Sequence, residues 1–247
     1  MCRSANHGYG PLMLGFTLSA GLVISTLLAT KSVEKVKISN QKFRVKGYAQ
    51  KGITSDWAEW NGKFSTRADI LVEAYTKMEK DLAVIIGWLE KEGITRERIS
   101  ITSVSTSLLY KTDKQGRNTN EIEGYRLSQS IGLNGPDVEL IARIASESTT
   151  LIKLGVQFES MTPSYFYTKI NDLKIEMLGE AARNARLRAQ QLVENSGSRI
   201  GRLKYASQGV FQITPAFSTD VSDYGSYDTG TINKSIKAVV TMEYSID

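Results

Sequence analysis

Carboxylates are the side chains of this sequence that could perform catalysis or bind a metal ion. Glu121 and Glu123 lie two residues apart at a predicted strand start, so they share one strand face, and glycosidases use paired carboxylates. Asp220, Asp223 and Asp228 lie in a Ser/Gly-rich loop and could offer oxygen ligands to a hard cation, but their spacing does not match a calcium EF-hand loop. The surrounding sequence favours a charged strand end and an exposed turn.

Other catalytic chemistry is limited by what the sequence lacks. The only histidine is His7 and the only cysteine is Cys2. The chain after Thr30 therefore contains no Ser-His-Asp triad, Cys-His dyad or His/Cys zinc site. Gly62-Lys63 is followed by Phe64, so it is not a P-loop. These absences predict a protein that is not an enzyme and has no cofactor or metal.

Basic residues are densest between residues 183 and 204, in a chain of net charge +5. No aromatic residues interleave with them, so nucleic-acid binding is not expected. A solvated helix face is the plain interpretation. The alternative is a pore or interface lining formed by Arg183, Arg186, Arg188 and Arg202. Tyr224 and Tyr227 are candidates for a subunit contact, because tyrosine is enriched at interfaces.

The long helix predicted from Asn171 must position most of these arginines. Its apolar stripe recurs at steps of three and four and comprises Ile170, Leu173, Met177, Ala181, Ala185, Ala189 and Leu192. The alanines would let another element approach closely. Gly197 lies where a left-handed helix cap belongs, and Leu203 and Tyr205 then alternate with Arg202 and Lys204 like a half-buried strand.

The remaining pattern predicts an α+β fold with largely antiparallel sheet, two long helices and one short helix. A second long helix is predicted over 69–92, ended by Gly93, and a short helix begins after an N-cap at Asp137 and runs to about Glu147. The predicted strands are 43–49, 57–66, 99–110, 122–133, 152–159, 200–211 and the closing strand from Ile236 to Ile246. Trp57 and Trp60 should face opposite sides of their strand.

The N-terminus predicts a separate segment, residues 1–31, ahead of a domain at 40–247. Residues 11–30 carry no charge and are about long enough to cross a bilayer as a helix. An uncleaved anchor, a cleaved signal peptide and a buried soluble helix are the alternatives, and the length favours the anchor. Lys31, Lys35 and Lys37 argue for a cytoplasmic body by the positive-inside rule, whereas an export signal argues for an exported one, which we favour.

The order of these features resembles the SIMPL-domain family of bacterial exported proteins. The resemblance covers about residues 40–247 and rests on the run Asn184-Ala185-Arg186-x-Arg188-Ala189, Gly197 and Gly201, and on four further stretches: Glu92-Gly93-Ile94, ISITSVSTSLLY, Gly124-Tyr125-Arg126 and KAVVTMEY. It implies a periplasmic or membrane-tethered α+β protein that forms a homo-oligomer, in some members a ring with a central channel. It also implies a link to oxidative-stress tolerance, and it supplies no catalytic residues.

Three functional hypotheses follow. The first is a non-enzymatic envelope protein that is anchored by residues 11–30 and self-assembles through exposed strand edges and the long helix. The second is a binding module for a small molecule, peptide or envelope component beside Ser103, Ser105 and Ser107. The third is an enzyme that uses carboxylates or tyrosines.

Overall fold

The computed structural model describes residue 15, residues 18–19, residues 21–30 and residues 42–246. Residues 21–30 are helical and exposed. The remainder of the predicted membrane segment 11–30 lies mostly outside the described residues. Within the described ranges, no helix is both long enough and apolar enough to cross a bilayer. The membrane anchor therefore stays a prediction.

The described chain has an α+β fold, as the sequence predicted. After the N-terminal helical stretch, the α-helices of the described chain are α1 (Leu71–Lys91), α2 (Val138–Glu147), α3 (Thr150–Lys153) and α4 (Ile170–Glu194), and a 3-10 turn spans Arg96–Arg98. The strands are β1 (Lys42–Thr54), β2 (Trp57–Ala68), β3 (Ile99–Ile101), β4 (Ser105–Thr112), β5 (Asn118–Gly135), β6 (Phe158–Ser160), β7 (Ser164–Phe166), β8 (Ile200–Gln208), β9 (Gln212–Pro215), β10 (Ser226–Tyr227) and β11 (Asn233–Ile246).

The chain divides into two compact units. Unit 1 comprises Met1–Ala49, Ile175–Val210 and Ala238–Asp247, and unit 2 comprises Gln50–Lys174 and Phe211–Lys237. One sheet has the order β1-β11-β9-β10 with β8 paired to β11, and the other has the order β3-β5-β2-β6 with β4 on β5 and β7 on β2. The pairs β2–β5, β4–β5, β8–β11 and β9–β11 are antiparallel, whereas β9–β10 is parallel.

Unit 2 contains a core of sheet side chains packed with helix side chains. Trp60 and Phe64 of β2 are buried, as are Leu127 and Ile131 of β5. Trp57 is only partly buried, which confirms that the two tryptophans of β2 face opposite sides. The helices contribute their apolar faces, namely Met78, Ile85 and Leu89 of α1 and Ile141 and Ile144 of α2.

Two helix ends follow the sequence prediction closely. Gly93 has φ +89°, and Ile94 N–H donates to Leu89 O at 3.0 Å. Gly197 has φ +80°, and Ser198 N–H donates to Val193 O at 3.2 Å. This is the Schellman pattern, in which a left-handed residue lets the chain satisfy the last helical carbonyls. Asp137 also caps α2 as predicted, accepting from Leu140 N–H at 3.1 Å.

The strand predicted over 152–159 is wrong in its first half. The chain forms the short helix α3, which ends at Lys153 and is followed by Gly155 with φ +88°, and Val156 N–H donates to Leu151 O at 3.1 Å. The apolar residues Ile152 and Leu154 lie at the alternate positions expected of a half-buried strand, but both side chains are exposed. Only Val156 and Phe158 point into the core.

Three further details differ from the sequence prediction. The strand predicted over 99–110 is broken into β3 and β4 at residues 102–104. Strand β8 is not half-buried, since both Leu203 and Tyr205 are about half exposed. On α4, Leu192 is exposed and Val193 is buried, because the inward positions recur strictly every four residues from Leu173.

Candidate interaction surfaces

The alanine positions of α4 receive strand β1 at close range. In unit 1, a Cβ atom on Gly47 would lie only 2.6 Å from the Ala185 Cβ atom and would collide with the Ala181 carbonyl. Ala181, Ala185 and Ala189 are fully buried. The small side chains therefore allow the backbone of β1 to pack directly against α4, with glycine on the strand and alanine on the helix.

Two polar side chains of the same α4 segment contact the backbone of β1. Tyr48 N–H donates to Asn184 Oδ1 at 3.1 Å, and Arg188 Nη1 lies 3.5 Å from Lys46 O. Strand β1 is last in its sheet order, so these contacts supply partners along an otherwise open edge. The sequence run from Asn184 to Ala189 thus has a structural role in seating β1.

The four arginines proposed as a lining do not form one surface patch on α4. At about 100° per residue, Arg183 and Arg186 are separated by about 60° around the helix, and Arg188 lies about 160° from Arg186. Arg183 forms an ion pair with Glu180 on its own helix. Arg202 is on β8, where its backbone N–H donates to Ser245 Oγ at 2.9 Å. A pore or interface lining by these residues stays a prediction.

A groove of about 620 Å³ lies on strands β1, β8 and β11 of unit 1. Lys42, Arg44, Lys204, Tyr205, Ser207, Thr241 and Glu243 line it. Positions 42 and 44 of β1 are exposed and alternate with Phe43 and Val45, which are more buried. The groove therefore occupies the sheet face opposite the one that β1 presents to α4.

Glu243 is the buried charge of this groove, with 7% of its surface exposed. Its carboxylate accepts from Lys42 Nζ at 3.1 Å and from Arg44 Nε at 2.9 Å. Hydrogen bonds from Arg44 and Lys42 lower the pKa of Glu243 below its usual value, because they stabilise the charged form. Glu243 is therefore ionised at neutral pH and neutralised by its two partners.

Unit 2 carries an exposed apolar surface on the hairpin formed by β4 and β5, which we call the arm. Tyr110 pairs with Ile122 across the two strands, so both side chains share a face with Leu108, two residues earlier. All three are substantially exposed, and we call them the arm patch. No residue of β4 is buried, and within the described chain β4 pairs only with β5. The arm thus offers a free strand edge beside apolar side chains.

The loop between β9 and β11 presents further aromatic side chains. Tyr224 is 97% exposed and Tyr227 is 46% exposed, so both predicted contact residues are accessible. Phe217 is 98% exposed and has φ +66°, and it is the only non-glycine residue with positive φ in the described chain. Their exposure leaves these side chains available for a subunit contact, which stays a prediction.

Three of the five carboxylates considered for chemistry, namely Glu121, Glu123 and Asp228, pair with neighbouring cations, and Asp220 accepts from Ser218 Oγ at 2.9 Å. Glu121 pairs with Lys111 and Glu123 pairs with Arg67. The hydrogen bond from Lys111 lowers the pKa of Glu121, which does not suit a general acid. Asp228 accepts from the buried Lys234 at 3.1 Å. Among the described residues, no group of three His, Cys, Asp or Glu side chains is arranged to hold a metal ion.

The serines proposed to line a binding groove are solvent-accessible. Ser105 and Ser107 lie on one face of β4, and Ser103 lies in the break before this strand. All three are exposed. Their exposure keeps the binding-module hypothesis open.

Sequence reasoning did not identify the arm patch or the Glu243 groove. The alternation of Lys42, Arg44 and Lys46 with apolar residues was a usable signal for one basic strand face. The arm patch had a weaker signal, because Leu108, Tyr110 and Ile122 look like ordinary core positions in a strand. Only the structure shows that the helices of unit 2 leave these positions exposed.

Comparison with known proteins identifies one family. The model of the SIMPL family, described as a protein of unknown function (DUF541), matches residues 43–244. The match includes strands β1 and β11, helix α4 and the arm. The comparison with curated proteins found no match.

Proposed function

Because the chain belongs to the SIMPL-domain family, we propose that it is a non-enzymatic protein of the bacterial envelope that self-assembles into a homo-oligomer. The arm patch is the observation that carries this proposal. Leu108, Tyr110 and Ile122 expose three apolar side chains beside the edge of β4 that pairs with no other strand of the described chain. A second copy of the chain could cover both features by edge pairing and apolar contact.

Envelope localisation and anchoring form part of the same proposal. The uncharged stretch 11–30 and the export typical of the resembling proteins support a periplasmic body tethered by an uncleaved helix. A role in tolerance of envelope or oxidative stress rests on the resemblance alone. Fractionation with intact-mass measurement of the native protein tests the anchor: we expect the full-length mass in the membrane fraction, and a shortened mass in the soluble periplasm would contradict it.

The assembly proposal is tested by charge insertion into the arm patch. We expect Leu108→Glu combined with Ile122→Glu to reduce the oligomer to a monomer, because a buried interface cannot accommodate unpaired carboxylates. Light scattering after size-exclusion chromatography of the detergent-solubilised full chain measures the mass. Both side chains are exposed in the protomer, so an unchanged circular dichroism spectrum should accompany the loss of mass.

A matched control places the same charge elsewhere. Val72 of α1 and Ile152 of α3 are 71% and 56% exposed, and Val72→Glu combined with Ile152→Glu, which adds the same two charges, should leave the oligomer mass unchanged. If the arm variant retains the wild-type mass, assembly does not use the arm patch. If the control dissociates equally, the effect is a general response to added negative charge.

A binding module for a small molecule, peptide or envelope component is the second candidate. The exposed hydroxyls of Ser105 and Ser107 on one face of β4 favour it. Native mass spectrometry of the purified full chain would reveal a retained ligand as an added mass. That added mass should disappear in a Ser105→Ala/Ser107→Ala variant, and its persistence would contradict binding at these hydroxyls.

A further inference from the structure

The sheet face of unit 1 that lies opposite α4 is strongly basic. Along β1, Lys42, Arg44 and Lys46 alternate with the residues that pack against α4, such as Gly47, and so share the other face of the strand. Arg44 and Lys46 also border a cavity at the strand edge that α4 lines. Strand β8 adds Lys204, which lines the same groove as Lys42 and Arg44. These four cations come from two strands that flank β11.

This face carries positive charge that no partner neutralises. Glu243 is the only acidic residue within 42–49, 200–208 and 238–246, and Lys42 and Arg44 already share its carboxylate. Lys46 and Lys204 make no ion pair within the described chain. Four cations therefore face one carboxylate, and two of them, Lys46 and Lys204, are exposed ammonium groups without an ion pair in the described chain.

Hydroxyl groups accompany the cations. Tyr205 pairs with Glu243 and Ser207 pairs with Thr241 across β8 and β11, so all four side chains share the open face. The groove that they line is open to solvent. Ammonium, guanidinium and hydroxyl donors on an open surface suit phosphate oxygens that are presented by a larger surface.

The chain connects this face directly to the proposed anchor. Residues 31–41 separate the helical stretch 21–30 from β1, and they contain Lys31, Lys35 and Lys37 against Glu34. This linker can span at most about 40 Å. An anchor in the bilayer would therefore keep Lys42 within about 40 Å of the bilayer surface, a distance from which the basic face can reach the lipid headgroups.

We propose that the basic face formed by Lys42, Arg44, Lys46 and Lys204 docks on the phosphate headgroups of an anionic phospholipid surface. Basic segments next to a membrane span are attracted by anionic lipid over about a Debye length. The half-exposed Tyr205 ring lies beside the cations, in keeping with the preference of tyrosine for the headgroup region. This inference rests on the proposed membrane anchoring, and it adds a specific orientation of unit 1 toward the lipid.

The test is lysine acetylation of the full chain reconstituted in vesicles, read by mass spectrometry. We compare vesicles of phosphatidylcholine alone with vesicles that also contain phosphatidylglycerol. At low salt, acetylation of Lys46 and Lys204 should fall about fivefold or more in the anionic vesicles, in line with the attraction expected per cation, and high salt should restore it. Lys80, exposed on α1 of unit 2, should react equally in both.

A double variant tests whether Lys46 and Lys204 cause the lipid-dependent protection, while the ion pairs of Glu243 stay in place. Lys46→Gln/Lys204→Gln removes two cations but leaves Lys42 and Arg44 on the buried carboxylate. Loss of two cations that each contribute about fivefold should weaken binding to the anionic surface about 25-fold, so the reactivity of Lys42 in anionic vesicles should return to about its level in phosphatidylcholine vesicles. Lys80→Gln/Lys91→Gln removes two exposed cations from α1 of unit 2; it is the matched control and should leave this protection unchanged.

The outcomes separate this inference from the anchoring proposal. Flotation of the chain with phosphatidylcholine vesicles in high salt reports the anchor alone. Flotation without any lipid-dependent protection of Lys46 and Lys204 overturns the docking face and leaves the anchor standing. Failure to float in high salt overturns the anchor, and salt-sensitive binding to anionic vesicles that the double variant loses would still support the face.

Two soluble anions test whether phosphate groups that are not part of a lipid surface also bind the basic face. Inorganic phosphate or a DNA oligonucleotide is added to the chain in phosphatidylcholine vesicles. Neither should reproduce the protection at physiological salt. Protection by either competitor in the absence of anionic lipid would overturn the assignment to a lipid surface.

Discussion

At the residue scale, Glu243 links protonation to stability. Its pKa is lowered in the folded chain by Arg44 and Lys42, so its stabilising contribution is fully present above the unfolded value near 4.5 and is lost as the pH falls through the folded value. Glu243→Gln should therefore lower the free energy of unfolding at pH 7 and have little effect below the folded pKa.

Urea unfolding at pH 7 and at about pH 3 measures this difference. Glu90 is exposed and makes no ion pair in the described chain. Glu90→Gln is therefore the control and should change stability little at either pH. A loss for Glu243→Gln that is equally large at both pH values would show that the carboxylate charge is not the cause.

Folding shifts the pKa of Asp81 in the direction opposite to that of Glu243, so the charge of Asp81 opposes folding. Asp81 is buried on α1, and its Oδ2 atom has no hydrogen-bond partner among the described residues. Burial raises the pKa of Asp81, and the charge of Lys77 opposes this shift. A raised folded pKa penalises folding above that pKa. We expect Asp81→Asn to increase the free energy of unfolding at pH 7 by about 1 kcal/mol, the low end of the penalty for an unpaired buried group.

The gain from Asp81→Asn should shrink as the pH falls, because protonation then neutralises the wild-type carboxyl group. Thermal unfolding monitored at pH 7 and at about pH 4 measures both effects. A destabilised variant at pH 7 would mean that the Asp81 carboxylate makes a favourable interaction that the geometry does not include.

At the element scale, the packing of β1 against α4 depends on the absence of a side chain at Gly47. Gly47→Val should destabilise the protein by about 2–3 kcal/mol, because the added atoms would overlap Ala185 and the strand would have to move. Gly52 lies on the same strand, and no atom lies within 4 Å of the position that its Cβ atom would take. Gly52→Val should be neutral or slightly stabilising in denaturant unfolding, and equal losses for the two variants would contradict the packing account.

The elements show where sequence periodicity is informative. The spacing of Leu173, Met177 and the alanines predicted α4 and its inward face, and Gly93 and Gly197 predicted two helix ends, because these signals are local. Helix α3 was missed because Ile152, Leu154 and Val156 also fit a strand. The exposure of β8 was missed because an edge strand without a covering layer has the same alternation as a half-buried one.

At the scale of the whole molecule, the family and fold class could be predicted from the sequence, whereas the interaction surfaces could not. Leu108, Tyr110 and Ile122 resemble core residues until the positions of the helices are known. The arginines of α4 looked like one basic group in the sequence, but the turn of the helix separates Arg186 from Arg188. Which side chains are exposed, and which of them lie together, therefore depends on long-range packing that local sequence patterns do not encode.

Self-assembly through the arm patch is the central claim, and the mass of the intact assembly tests it most directly. Sedimentation equilibrium of the full chain in density-matched detergent, across a range of micromolar concentrations, measures that mass. We expect a multiple of the 27.4 kDa chain mass, which the variant Leu108→Glu/Ile122→Glu reduces to a single chain. A wild-type mass of one chain at every concentration would contradict the account.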